Sequence, residues 1–239
     1  MQKLIIHLKN GCISTLIINR PEKANALNTE LLMKLGDTIH ALKERERYTV
    51  LVLRGAGEKS FSSGGDLEEA RSDRDFQDFI KALVYFQNSL LEYPFPVMAM
   101  INGRAIGLGV DMAAMCDIRL AADTASFVIN AVKLGRVYHH TAALRLINLV
   151  GFGVATEMLL SGKEIDARQA VEYGLVNQVY PLSLLEERTY ALAQGIGTGC
   201  HPQAVKNTKI MLQKLAQARH RGMTQKLEWE LEALTSVHG

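Results

Sequence analysis

The chain has 239 residues, of which 48% are apolar and 22% charged, with a formal net charge of +2. Such a chain can bury a full core without staples, and its charge gives no support to nucleic-acid or anionic-membrane binding. Cys12, Cys116 and Cys200 are odd in number, far apart and lack CxxC spacing, which argues against a disulfide framework and predicts reduced thiols in a cytoplasmic protein.

Two β-type runs open the chain, "LIIHL" and "ISTLIIN", with an Asn-Gly turn between them, and predict a hairpin. After the loop "RPEKANALN", Asn28 or Thr29 caps a helix whose Leu31, Leu32, Leu35, Ile39 and Leu42 recur at helical spacing. "TVLVLRG" reads as a buried strand, "FSSGGDL" as a glycine-rich loop, and Glu68 to Asp75 as a charged, irregular segment before a helix that runs to about Leu91. "PVMAMING" is a second buried strand, "RAIGLGVDMAAMCD" a glycine turn entering an apolar helix, and "IRLAAD" and "SFVIN" short strands. From Thr141 the pattern is nearly all helical, broken by "SGKEID" and the strand-like "GLVNQVYP". Strands alternating with helices predict an α/β core over residues 1–185, followed by a helical region over 186–239. Trp229, Leu227, Leu231 and Leu234 are expected to pack in the last helix. The longest apolar runs fall short of a membrane span.

Two glycine loops share one design: Phe61 to Leu67 and Gly103 to Asp111 each leave a buried strand and enter a helix. The first N–H groups of a helix lack intrahelical acceptors and sit at its positive end. Either the glycines serve only tight turns, or the loops converge two N–H groups on one oxygen, an arrangement worth roughly 3–4 kcal/mol per donor in acyl chemistry. No Walker sequence and no GxGxxG in a nucleotide-binding context is present, and no His or acid spacing suits a metal.

Six motifs in register, "NRPEKANALN", "FSSGGDL", "PVMAMINGRAIGLGVDMAAMCDIRLAAD", "ASFVINAVKLG", "LLSGKEIDARQAVEYGLVNQVYP" and "HPQAVKNTKIML", resemble the enoyl-CoA hydratase/isomerase family, the crotonase superfamily. The resemblance implies a spiral of ββα units, a helical trimerisation region giving a homotrimer or homohexamer, and a coenzyme A or acyl-carrier-protein thioester as substrate. It implies no permanently bound cofactor; some relatives bind RNA, but the weak charge here gives that little support, and no nucleic-acid or membrane partner is expected. It places the oxyanion-hole donors at the backbone N–H groups of Ser63 and Leu108, where the family usually has glycine at the second position. It places the coenzyme around Lys23, Ala24 and Leu27 and along Gly64, Gly65, Asp66 and Leu67.

Hydratases of this family use two glutamates. The first corresponds to Asp111, one methylene shorter; the second corresponds to Ala131, which cannot move a proton. Asp111 also suits the dipole of a helix start. Glu157 and Glu164 lie in a later helix and turn and are not expected to substitute. "KLGRVYHH" resembles the loop of the methylmalonyl-CoA decarboxylases of the superfamily, which implies catalytic roles for Tyr138 and His139, although those enzymes carry histidine where Gly65 stands. Adjacent side chains point ~100° apart on a helix, so at most one of His139 and His140 is expected to face the site. The reading is an enzyme that passes through a stabilised enolate, with decarboxylation or double-bond isomerisation ahead of hydration. The alternatives are a catalytically silent binding or assembly protein, and an ordinary hydratase with altered acids.

Overall fold

The computed structural model describes residues 3–44, 49–66, 68 and 72–218. The expectations for Leu67 and for the last helix with Trp229 lie outside these residues.

The expected hairpin is present: β1 (Ile5–Asn10) pairs antiparallel with β2 (Ile13–Ile18), Asn10 opposite Ile13, with Gly11 at φ 57° in the turn. A positive φ costs glycine little, so the tight reversal is available there. α1 (Thr29–Glu44) starts where the Asn28 side chain accepts the Leu31 N–H at 3.0 Å, and all five of its expected apolar positions are buried.

A repeating pattern follows: a strand, a short second strand, then a helix. β3 (Val50–Gly55) and β4 (Ser60–Ser62) lead to α2 (Asp73–Leu91). β5 (Val97–Ile101) and β6 (Arg104–Ile106) lead to α3 (Leu108–Met115). β7 (Ile118–Ala122) and β8 (Ser126–Val128) lead, through a 3₁₀ turn at Ala131–Leu134, to α4 (His140–Ser161). The first strand of each unit joins a six-stranded sheet in the order β1-β2-β3-β5-β7 and then β10 (Gln178–Tyr180). The second joins a four-stranded sheet in the order β4-β6-β8 and then β9 (Ile165–Asp166). Neighbours from β2 through β10 in the larger sheet run parallel, as do β4, β6 and β8 in the smaller. Each unit therefore advances both sheets by one strand, which is the expected ββα spiral. Parallel strands covered on both faces read as continuous apolar runs, and β5 is buried at every position.

α5 (Ala167–Glu172) opens with a capping box between Asp166 and Gln169. α6 (Leu182–Gly199) packs on β2, β3, β5 and β7, so the expected boundary between residues 185 and 186 falls inside a helix that covers the sheet. α7 (Pro202–Ala218) is tethered by Lys209, whose Nζ lies 2.7 Å from the Asp117 carboxylate and 2.9 Å from the Phe95 carbonyl oxygen.

Two local expectations are corrected. The segment read as irregular up to Asp75 is already helical from Asp73, because Ser72 and Asp75 form a reciprocal capping box. α4, in turn, is long and apolar enough by length and composition to cross a membrane. Its backbone is broken at Gly151 (φ 77°, ψ 164°), and it carries Arg145, which is engaged inside the fold, and Glu157.

Candidate active site

The two glycine loops touch. Gly64, at φ 91°, lies so close to the second loop that a Cβ there would meet the Ile106 carbonyl oxygen at 2.7 Å and the Leu108 nitrogen at 3.2 Å. No side chain fits between the loops, and the positive φ itself favours glycine. Above this contact lies a mainly apolar cavity of about 330 Å³. One wall is a face of α2, from Phe79 through Leu83 and Val84 to Gln87; another is the turn from Asn130 to His139.

Of the Ser63 and Gly65 amides, that of Ser63 is engaged within the protein, whereas that of Gly65 has no acceptor among the described residues. The Ser63 N–H donates to the Ala24 carbonyl oxygen at 2.9 Å, and its hydroxyl lies 3.2 Å from the Lys23 carbonyl oxygen. That amide is spent, and the expectation for Ser63 is corrected. Leu27 forms a parallel bridge with Gly65: the Leu27 N–H donates to Gly64 O, and the Asp66 N–H donates to Leu27 O. In such a bridge the flanking residues face the partner strand, so the N–H of Gly65 points the other way. It makes no hydrogen bond among the described residues, and Gly65 lines the cavity. Leu108 opens α3, so its N–H has no intrahelical acceptor, and it too lines the cavity. The Gly107 N–H donates to Val128 O, and Gly107 takes φ 51° to turn the chain into the helix. Two donors without partners, Gly65 N–H and Leu108 N–H, thus face one cavity across a glycine contact.

Asp111 lines the cavity but is only 2% exposed. Its Oδ1 accepts Arg145 Nε–H at 2.8 Å; its Oδ2 accepts Arg145 Nη2–H at 2.8 Å and Gln87 Nε2–H at 3.1 Å. A bidentate guanidinium and an amide therefore hold the carboxylate. Burial works against the Arg145 charge, but the bonds to Asp111 outweigh it and raise the Arg145 pKa. Arg145 and Gln87 were missed at the sequence level. The available signal was a lone arginine in the apolar run "AALRLINLV", since a cation on a buried face needs a partner.

Tyr138 is half-buried and lines the cavity, with its hydroxyl donating to the Gly107 carbonyl oxygen at a long 3.3 Å. Burial, reinforced by the nearby Asp111 charge, pushes its pKa well above the ordinary tyrosine value, so the hydroxyl keeps its proton. His139 lines the cavity as the cap of α4; its Nδ1 lies 2.9 Å from Thr141 Oγ1 and accepts the Thr141 N–H at 3.4 Å. His139 sits at φ −59°, ψ 135°, outside the helix, which lets the His140 ring stack on it at 4.5 Å instead of splaying away. His140 does not line the cavity.

Of the residues expected to hold the coenzyme, Lys23 is exposed but paired with Glu68 at 2.6 Å, which raises the Lys23 pKa. Ala24 and Asn25 take the left-handed conformation at φ 49° and 58°. The Leu27 side chain is fully buried in the core, and the Asp66 side chain is buried against Arg20 at 2.9 Å. Both residues bind the Arg20–Asn28 segment to the first glycine loop. Glu164 is engaged by Arg104 and Ser126, and Glu157 by Lys163, so neither acid reaches the cavity. No cluster of three or more metal-ligating side chains occurs among the described residues.

A spiral of ββα units with two sheets that advance together, and a cavity where its glycine loops meet, defines a crotonase fold. The family model for enoyl-CoA hydratase/isomerase matches residues 9–237, and the chain belongs to that family. It is 34% identical over 223 residues to the short-chain-enoyl-CoA hydratase of Clostridium acetobutylicum, covering 92% of this chain and 82% of that protein. Among solved structures, an enoyl-CoA hydratase/carnithine racemase from Magnetospirillum magneticum superposes with a TM-score of 0.85 at 26% identity, covering 96% of this chain and 86% of that one. A monofunctional enoyl CoA isomerase from M. smegmatis gives a TM-score of 0.78 at 26% identity, over 90% and 95% of the two chains.

Proposed function

We propose that this protein acts on a coenzyme A thioester by forming an enolate, with decarboxylation ahead of isomerisation and hydration last. The observation that carries the order is the engagement of both Asp111 oxygens by Arg145. Hydration needs paired acids to position and split water; here Ala131 has none, and Asp111 is held by three donors. Isomerisation needs one base to carry a proton, and the same clamp opposes that. Decarboxylation needs no base.

In that reaction the bond between the α-carbon and its carboxylate breaks. Its electron pair enters the thioester as an enolate, and CO2 leaves. The thioester oxygen, now negative, accepts the N–H groups of Gly65 and Leu108, which are already oriented by the loop bridge and the helix start. The α-carbon then takes the Tyr138 hydroxyl proton, and the phenolate recovers one from water. A carbanion is far more basic than a phenolate, so the raised Tyr138 pKa does not prevent this transfer; it keeps the donor protonated beforehand. The long bond to Gly107 O leaves the hydroxyl easy to redirect.

Isomerisation is kept as a second reading because Asp111 does line the cavity. A panel of malonyl-, methylmalonyl-, glutaconyl- and enoyl-type thioesters, read for CO2 release, double-bond migration and water addition, tests the order. Crotonyl hydration at rates typical of enzymes, about 10 s⁻¹ or more, contradicts it. No turnover on any thioester favours a silent binding protein.

A further inference from the structure

The turn that follows β8 carries two polar side chains that the enolate chemistry does not use. Asn130 is half-buried and Arg136 exposed, and both line the cavity. The Arg136 N–H donates to Ala131 O at 2.9 Å, closing the turn so that the two residues flank it. Gly135, at φ 68°, makes that closure possible. Neither the Arg136 guanidinium nor the Asn130 carboxamide makes a hydrogen bond or ion pair among the described residues. The rest of this part of the cavity is apolar: Val84, Leu134 and Val137.

The charge balance of the cavity follows from the Asp111 clamp. Asp111 is the one acid lining it among the described residues, and Arg145 cancels its charge. Among the described residues, Arg136 is the one Lys or Arg lining it, and it has no counter-ion. A cavity with apolar walls and one uncompensated guanidinium beside a free carboxamide is matched to an aliphatic stem ending in an anion. Guanidinium and amide donors together suit the oxygens of a carboxylate.

We propose that Arg136, assisted by Asn130, selects acyl groups that bear a carboxylate at the end away from the thioester, so that a decarboxylated substrate carries this second carboxylate besides the one it loses, and saturated dicarboxylic monothioesters are its unreactive mimics. This rests on the reading that the cavity receives the acyl part of a thioester. The selected carboxylate is one the reaction retains, because pairing a leaving carboxylate with arginine would stabilise the ground state and slow CO2 loss. Arg136 is thus a specificity residue, separate from the Gly65, Leu108 and Tyr138 machinery.

The test is direct binding of saturated thioesters that cannot react. Calorimetric Kd values are measured for pentanoyl-CoA against glutaryl-CoA, for hexanoyl-CoA against adipyl-CoA, and for free coenzyme A. Wild type is compared with Arg136→Gln, Arg136→Lys and Asn130→Ala. At least one dicarboxylic member should bind about fivefold more tightly than its neutral counterpart, the upper end for a partly solvated ion pair. Arg136→Gln should abolish that preference while leaving the neutral thioester and free coenzyme A unchanged, and Asn130→Ala should reduce it. Arg136→Lys, which keeps the charge but loses the fork, should retain part of it. Equal affinity for neutral and dicarboxylic members in wild type overturns the proposal. So does an Arg136→Gln loss shared equally by free coenzyme A, which would assign the arginine to a phosphate. Failure of every thioester to bind removes this inference and the proposed function together, whereas equal binding removes the inference alone. Circular dichroism of each variant shows whether a lost preference reflects lost fold.

Discussion

Asp111 and Arg145 meet through two parallel hydrogen bonds of 2.8 Å, although 34 residues separate them in the chain. The contact ties the first turn of α3 to the second turn of α4. It converts a residue expected as a mobile acid–base group into half of a buried ion pair. Removing either partner leaves a charge with no counter-ion, which is the costly case for a buried pair.

Arg145→Met should therefore destabilise the fold by about 3–5 kcal/mol. For a chain of this size that is roughly a 6–20 °C fall in Tm. The double variant Arg145→Met/Asp111→Leu should recover most of the loss, since it buries no charge. Thermal or urea unfolding of the four members of the cycle measures the coupling. A single variant as stable as wild type would show that the pair contributes nothing.

Asp111→Asn is nearly isosteric but leaves the guanidinium without its countercharge. Both stability and turnover should fall, with stability losing more than the ~0.3–1 kcal/mol expected of a helix-dipole acid. If the proposed order of reactions holds, decarboxylation should survive this change better than isomerisation does. Matched assays on malonyl- and enoyl-type thioesters, corrected for folded fraction, give the comparison.

Tyr138→Phe removes one hydroxyl whose bond to Gly107 O is long. Stability should change by no more than about 1 kcal/mol. Turnover should drop by ~10²–10⁴, the usual range for loss of a positioned proton donor. Product labelled in D2O should also lose any stereochemical preference at the α-carbon. Unchanged turnover would remove Tyr138 from the mechanism.

Alkaline pH should weaken the fold through Cys116. Burial pushes its thiol up to about 12, with the nearby Arg119 charge opposing. An unfolded thiol titrates near 8.5. Between about 9 and 12 the unfolded chain has therefore released a proton that the folded chain keeps, and stability falls by up to about 1.4 kcal/mol per pH unit from this group. The contribution is fully present below the unfolded value and is lost as pH rises through the folded one. Cys116→Ala should flatten the decline in urea-unfolding free energy above pH 9.

The chain should associate as a trimer or a dimer of trimers. α4 exposes Phe152 and Leu160, each more than 70% accessible, and α7 exposes Met211, Leu212 and Leu215. Apolar exposure on this scale marks surfaces that a partner covers. Sedimentation at micromolar concentration should show no stable monomer, and Phe152→Asp with Leu160→Asp should shift the distribution downward.

Periodicity made α1 legible in advance, because one face of the helix meets one core, while the choice of Asn28 over Thr29 as its cap came from the structure. The strand-rich units were legible for a similar reason: a strand buried on both faces, such as β5, has to be apolar throughout. The active-site donors were less so. Which amide in "SSGG" faces the cavity depends on how Leu27 bridges Gly65, a pairing across 38 positions that leaves no mark on residue type. The Asp111 clamp was hidden likewise, since Gln87, Asp111 and Arg145 come from three helices. Asn130 and Arg136 gave no periodic signal, because a turn closed by its own backbone places them.

The contact between Gly64 and the second loop has a consequence for how this site can diversify. Position 64 has no room for any side chain, whereas Leu108 offers the cavity its side chain and its amide as separate features. Replacing Leu108 can therefore reshape the cavity without moving the N–H proposed to hold an enolate oxygen. A library built at Leu108, with Gly64 fixed, samples new substrates on a constant catalytic frame; the reverse library samples mostly broken loops.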